Sequence, residues 1–184
     1  MPSVASGAAP SCYAALGVTS VTASHERRRA ARETWIASPN VGRTLCVSFL
    51  LRGIGMPAPD RRVMDREAQQ HGDVLFLPVS ASEGPITARL ASMFAWLQLA
   101  PRQHPSASWI CKADDDVYLL APEWEAQLRL IDASRQAAAR AAGRAPGEDA
   151  ILHGKLMFHN LDTRHRIPTT FDFSFNDREW PVPA

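Results

Sequence analysis

Trp109-Ile110-Cys111-Lys112-Ala113-Asp114-Asp115-Asp116-Val117-Tyr118-Leu119 joins an apolar, strand-like run to three consecutive carboxylates and then to a second short apolar run. Three adjacent anions repel one another and are costly inside a sheet unless cations or hydrogen-bond donors neutralise them. The triplet therefore belongs at a strand end. Asp114 and Asp116 form an Asp-x-Asp pair, whose oxygens can hold a hard divalent ion that in turn binds phosphate. A solvated acidic turn or a helix N-cap is the bland use of such a triplet. The surrounding βα pattern and the adjoining Lys112 favour the metal site.

Working outward, the hydrophobic pattern predicts strands over Tyr13 to Val21, Thr44 to Leu51, Val74 to Leu77 and Ser108 to Cys111. Between them lie helical patterns from Ser24, a candidate cap, to about Ile36, from Asp60 to about His71, and from Pro85 to about Leu99. Gly53 to Pro59 reads as loop. An Ala-rich helix follows from about Pro122 to Ala142, then a loop over Gly143 to Asp149 and a strand over Ala150 to Phe158. Residues 1–12 read as disordered, and 13–184 as one domain. Successive βα units predict an α/β fold with a mainly parallel sheet flanked by helices. Such sheets bind ligands beyond the carboxyl ends of their strands, near a reversal of strand order, and the acidic triplet lies at such an end. Neither a Gly-x-Gly-x-x-Gly fingerprint nor a Walker lysine motif is present, which argues against ordinary dehydrogenase and P-loop chemistry.

The chain has 184 residues, 46% of them hydrophobic, and a formal net charge of +1. That suits one domain with a sizeable core and gives no global field for nucleic acid or an anionic membrane. Lys112 and Lys155 are the only lysines. The three cysteines, Cys12, Cys46 and Cys111, give no complete disulfide framework and no zinc-type spacing. Cys46 and Cys111 read as buried free thiols. No run is apolar for long enough to span a membrane, and Met1 to Ser11 lacks the basic start and apolar core of a signal peptide.

Two further clusters matter. In Arg27-Arg28-Arg29-Ala30-Ala31-Arg32-Glu33-Thr34-Trp35, Arg28 and Arg32 share a helix face and could fork onto phosphate oxygens. Taken alone, a solvated basic face with a packed Trp35 is the better explanation of that cluster. The other cluster is Gly72-Asp73-Val74-Leu75-Phe76-Leu77, followed by Ile86-Thr87-Ala88-Arg89-Leu90.

Taken together these segments resemble glycosyltransferase family 31, the β-1,3-galactosyltransferase-like enzymes. Arg28, Ala30, Arg32, Thr34 and Trp35 match its Arg-x-Ala-Ile-Arg-x-Thr-Trp motif. Glu67, Gly72, Asp73, Val74 and Leu75 match its Glu…Gly-Asp-Ile-Leu block, and Pro85 to Arg89 takes the place of Asn-Leu-Thr-x-Lys. Lys112, Asp114, Asp115, Asp116, Val117 and Tyr118 match Lys-x-Asp-Asp-Asp-Val-(Phe/Tyr), and Gly154 fits a glycine of the next strand. Pro78, Ala81, Ser82 and Glu83 depart from an acidic stretch that many members carry. Trp180-Pro181 corresponds to an aromatic-Pro pair, after which members continue through a glycine-rich loop to the catalytic base.

The resemblance implies a GT-A-like nucleotide-sugar-binding domain, with the donor half present and the C-terminal acceptor half incomplete, as in a truncated chain. It implies an inverting, metal-dependent hexosyltransferase moving galactose or N-acetylhexosamine from a UDP-sugar to a glycan or glycoprotein acceptor, in β-1,3 linkage. Mn²⁺ would sit on Asp116 and Asp114. Arg28, Arg32, Arg89, Lys112, Asp114 and Asp115 would contact the donor, and the base is expected beyond Ala184. A Golgi location follows from the same resemblance, with a membrane anchor absent from this sequence. Glu123, Glu125 and Asp132 read as helix-surface acids, and His25, His153 and His159 as structural or exposed. Trp96 and Trp109 read as core, and Trp180 as the aromatic best suited to stack on a sugar. Two other readings stay open: a non-catalytic nucleotide-sugar-binding fragment or partner of an active transferase, and a metal-dependent phosphotransferase. The phosphotransferase would need a second charged motif that is not found.

Overall fold

The computed structural model describes residues 11–81, 85–145, 156–159 and 170–173; within these, side-chain statements exclude 85–89, 156–159 and 170–173. The chain divides into two compact units, Met1–Asp132 and Ala133–Ala184.

The first unit holds four parallel strands, β1 (Ala14–Thr19), β2 (Leu45–Ile54), β3 (Val74–Ser80) and β4 (Trp109–Asp114), in the order β3-β2-β1-β4. Helices α1 (His25–Glu33), α2 (Ala58–His71) and α3 (Pro85–Gln103) form the crossovers, and α4 (Ala121–Ala141) follows β4. The mainly parallel α/β sheet expected from the sequence is what forms. The chain steps outward from β1 to β2 to β3, then returns to place β4 on the other side of β1. Strand order therefore reverses between β1 and β4, and their carboxyl ends are level, with Thr19 opposite Asp114. In the second unit, β5 (Leu156–His159) pairs antiparallel with β6 (Thr170–Phe173).

β1 is central, and every residue from Ala14 to Val18 is buried, as expected for a parallel strand covered on both faces. Its period of two divides the core. Ala14, Leu16 and Val18 pack with Ala31, Trp35, Phe49, Trp109 and Leu128 on one face. Ala15 packs on the other with Cys12, Cys46, Leu50, Leu77, Trp96 and Ala100. Gly17 faces this second layer. A Cβ there would lie 2.6 Å from Leu50 Cδ1 and 2.7 Å from Trp96 Cε2, so the small residue is what lets the α3 indole lie on the strand. Trp96 is fully buried, and its Nε1 donates to the Cys111 carbonyl at 2.9 Å. Trp96 and Trp109 are core residues, as the sequence suggests.

Several boundaries shift. The β2 strand runs on to Ile54, with an irregular register between Arg52 and Ile54, where the sequence predicts loop. The helix expected from Asp60 begins at Ala58, and its N-cap is Pro57, with no side-chain cap bond. Proline's fixed φ suits a first helical turn, so Pro59 starts the helix where an Asp cap is not needed. Ser24 does occupy the N-cap of α1, after a short 3₁₀ turn, but makes no side-chain cap bond. Gly72 closes α2 in the left-handed conformation at φ 69°, with its N–H on the Ala68 carbonyl. Of the strand expected over Ala150 to Phe158, only Leu156 onward falls within the described residues.

Two helix acids expected at the surface are not surface groups. Glu125 is buried and accepts hydrogen bonds from Thr44 Oγ1 at 2.6 Å and Asn40 Nδ2 at 2.9 Å, besides pairing with Arg129. Asp132 accepts from the Tyr13 hydroxyl at 2.6 Å and from Trp109 Nε1 at 3.1 Å. Both tie α4 to the start of the sheet, because the loop before β2 and the start of β1 bring donors to its inner face. Glu123 is exposed, as expected.

Candidate functional site

A cleft of about 300 Å³ opens at the carboxyl ends of β1 and β4. Its wall includes Thr19, Ser20, Ser24, Arg27, Arg52 and the triplet Asp114 to Asp116. It lies at the reversal of strand order, the position where open α/β sheets bind ligands. A second hollow, shared through Ser20, Val21 and Arg52, continues the cleft toward Met56 and Asp60 at the start of α2.

The three carboxylates are held differently. Asp114 accepts from Thr19 Oγ1 at 2.6 Å and pairs with Lys112. Asp115 turns inward, its side chain only 9% exposed, accepting from Ser20 Oγ at 2.7 Å and Arg27 Nη1 at 2.9 Å. Asp116 points outward with its side chain 63% exposed and lies 3.9 Å from Arg27 Nη1. Donors from β1, α1 and β4 thus offset the repulsion among the anions. The hydrogen bond and charge of Asp115 in turn hold Arg27 above its ordinary pKa.

Arg28 and Arg32 lie on the α2 side of α1. Arg28 is fully buried and forks onto Glu67, with Nε at 2.7 Å from Oε1 and Nη2 at 2.8 Å from Oε2. Its Nη1 donates to Ser20 Oγ at 2.9 Å and to the Val21 carbonyl at 2.6 Å. Arg32 forks onto Asp73 and also reaches Glu67. Burial works against the charges of Glu67 and Arg32, but the ion pairs outweigh it. Glu67 falls to about 2, and Arg32 rises above its ordinary value. The two arginines engage carboxylates of α2 and the loop before β3, and Arg28 fixes the backbone that carries Ser20 into the cleft.

Asp114, Asp115 and Asp116 line the cleft, and Lys112 pairs with Asp114. The Arg89 side chain, His153, Gly154 and Trp180 lie outside the described residues or side chains, as does the side chain of His159. Thr19, Ser20 and Arg27 were not assigned to the site by sequence. A Thr-Ser pair at the end of a buried strand is the signal that could have found the first two.

Among the described residues, the triplet does not present three convergent acidic oxygens. Carboxylates at an open, hydroxyl-lined cleft still fit a hard divalent ion bound through one or two acids, the remaining ligands being water or phosphate. Among the described residues, no helix is long and apolar enough to cross a membrane.

Comparison with known proteins agrees with this geometry. The galactosyltransferase family matches residues 26–167. Beta-1,3-galactosyltransferase 6 of Mus musculus is 33% identical over 123 residues, covering 64% of this chain and 36% of that protein. Beta-1,3-galactosyltransferase 5 of Homo sapiens is 30% identical over 105 residues, covering 54% of this chain and 32% of that protein. The chain therefore spans about a third of the length of these relatives. The match runs from α1 through the acidic triplet and beyond, and the chain belongs to the galactosyltransferase family, glycosyltransferase family 31.

Proposed function

We propose that residues 13–184 form a GT-A-like domain that binds a UDP-sugar at the β1/β4 cleft and takes part in inverting transfer of galactose or N-acetylhexosamine to a glycan or glycoprotein acceptor, with a β-1,3 linkage. The observation that carries this reading is the placement of Asp114, Asp115 and Asp116 at the reversal of strand order, facing Ser20 and Arg27.

Asp116 would hold a divalent ion such as Mn²⁺, with Asp114 as its second oxygen donor. The bound ion supplies positive charge to the diphosphate as the sugar leaves. Lys112 and Arg27 add cationic charge at the same edge, and Asp115 keeps Arg27 directed there. Arg28 and Arg32 act on the donor by fixing the cleft wall, through Ser20 and through the α1–α2 ion pairs. Arg89 is retained as a donor contact on its match to the family motif. The base that deprotonates the acceptor hydroxyl is assigned to no residue here. A Golgi location completes the proposal.

A second reading is a nucleotide-sugar-binding fragment, or partner of an active transferase, that does not itself transfer. It shares the donor site of the first reading and differs only in the transfer step. Calorimetric titration of UDP with Mn²⁺, and again with EDTA, tests the donor site. Affinity that depends on the metal is expected, and equal affinity in both conditions would remove the metal bridge. A UDP-release assay with β-galactoside and N-acetylhexosamine acceptors separates the two readings: acceptor-dependent release supports the transferase, and binding without release supports the fragment.

A further inference from the structure

The opposite end of the sheet carries a second cluster that the donor chemistry does not use. Cys12 lies two residues before β1, Cys46 is the second residue of β2, and His104 follows α3, with its N–H on the Ala100 carbonyl. Their side chains converge on the face covered by α3. The two sulfurs and a ring nitrogen of His104 all lie within 4.8 Å of one another, and Cys12 Sγ is 3.4 Å from His104 Nδ1. Cys12 is 1% exposed and Cys46 8%, among Leu50, Leu77, Val79, Trp96 and Ala100, while His104 is half-buried and borders solvent. The length of β1 separates the cluster from the acidic triplet by roughly 16 Å.

We propose that Cys12, Cys46 and His104 form a Zn²⁺ site that staples the N-terminal edge of the sheet. Two thiolates and one imidazole are the soft donor set that zinc selects, and the ligating atoms, all within 4.8 Å of one another, need only a small adjustment to reach the edges of about 3.5–3.8 Å of a tetrahedral shell. Zinc with two thiolates is electrically neutral, which suits an apolar pocket where a net charge would be costly. His104 supplies the entry path, and a solvent water can take the fourth position on its side. On binding, two S–H bonds break and their protons pass to solvent. Two Zn–S bonds and one Zn–N bond form, with no change of oxidation state. The edge ring contact of Trp96, 6.2 Å between centroids, holds the imidazole in place.

This cluster is separate in chemistry from the donor site. Mn²⁺ prefers oxygen, so the two ions would not compete for the same donors.

The test uses the full chain, purified under reductant and stripped with a chelator. Zn²⁺ retention is measured by competition with a chromophoric chelator, and thiolate ligation by the charge-transfer absorption of the Co²⁺-substituted protein. One equivalent of Zn²⁺ is expected, together with a rise in melting temperature. Cys46→Ser and His104→Ala should each weaken retention at least tenfold, whereas Cys111→Ser, on the opposite face, should not. His104→Ala changes a half-buried group, so it serves where Cys46→Ser compromises folding by circular dichroism. Failure to retain stoichiometric Zn²⁺, full retention by either ligand variant, or a Cys12–Cys46 disulfide that persists under reductant would overturn the proposal.

Discussion

Ser20 Oγ donates to Asp115 Oδ2 at 2.7 Å and accepts from Arg28 Nη1 at 2.9 Å, so one hydroxyl links the buried ion pair of α1 and α2 to the acidic edge of β4. Asp115 and Arg28 are 87 positions apart in sequence, and neither could hold its orientation through the other without this residue. Ser20→Ala removes a hydrogen bond to each of two charged groups. The expected loss is about 1.5–3 kcal/mol of stability, since bonds to charged groups lie in that range. Urea denaturation followed by circular dichroism checks it. A change below a few tenths would show that water replaces the hydroxyl.

Glu67 lies at the centre of the α1–α2 pairing, and its folded pKa is about 2 against an ordinary value of 4.5. The sign follows from linkage. The unfolded chain takes up the proton first, so the contribution of Glu67 is complete above pH 4.5 and is lost as pH falls toward 2. Denaturation midpoints should decline across that window. Glu67→Gln should flatten part of the decline while lowering stability at neutral pH, because Arg28 is then buried beside an uncharged amide. Breaking such a buried pair costs about 3–5 kcal/mol. Glu125, whose pKa is also lowered by bonds from Thr44, Asn40 and Arg129 that outweigh its burial, keeps some acid dependence in the variant. A pH profile identical to that of the parent would exclude Glu67 as a source of the slope.

Gly17→Ala tests the packing of α3 on the sheet. The added Cβ would meet Leu50 Cδ1 and the Trp96 ring at 2.6–2.8 Å, well inside van der Waals contact. Neither neighbour has open space, because both are almost fully buried. Overpacking of this kind costs about 1–3 kcal/mol. The near-ultraviolet circular dichroism of the indole should change together with the denaturation midpoint. An unchanged spectrum with a lowered midpoint would assign the cost to the backbone instead of the ring contact.

The strands were legible because their runs are mainly apolar and each is followed by a helical pattern. The acidic triplet was legible because no other place in a parallel sheet accommodates three adjacent carboxylates. What could not be read was partnership across distance. Arg28 looks like any arginine of a basic helix, and only the fold brings Glu67 against it, 39 positions away. Glu125 and Asp132 follow a helical spacing that fits a solvated face, yet Thr44 and Tyr13, just before β2 and β1, arrive to hydrogen-bond them. Cys12, Cys46 and His104 have no metal-site spacing, since each comes from a different element and the parallel sheet alone gathers them. Local pattern reveals elements; side-chain pairs contributed by separate elements need the topology.

The triplet itself gives the sharpest division of roles. Asp116 has an exposed side chain at the mouth of the cleft, whereas Asp115 is turned inward and tied to Ser20 and Arg27. If the metal sits on Asp116, Asp116→Asn should lower metal-dependent UDP affinity at least tenfold and leave the melting temperature within the small range of an exposed substitution. Asp115→Asn should do the reverse in kind. It removes the charge partner of Arg27 and weakens the Ser20 contact, so stability falls, and affinity falls only as far as the cleft wall loosens. Glu123→Gln, an exposed change on α4, should alter neither quantity and is the control. The readouts are calorimetric UDP titration at fixed Mn²⁺ and thermal unfolding without nucleotide. If Asp116→Asn retains full metal-dependent affinity while Asp115→Asn loses it without loss of stability, the metal position moves to Asp115, and the inward carboxylate must turn to meet it.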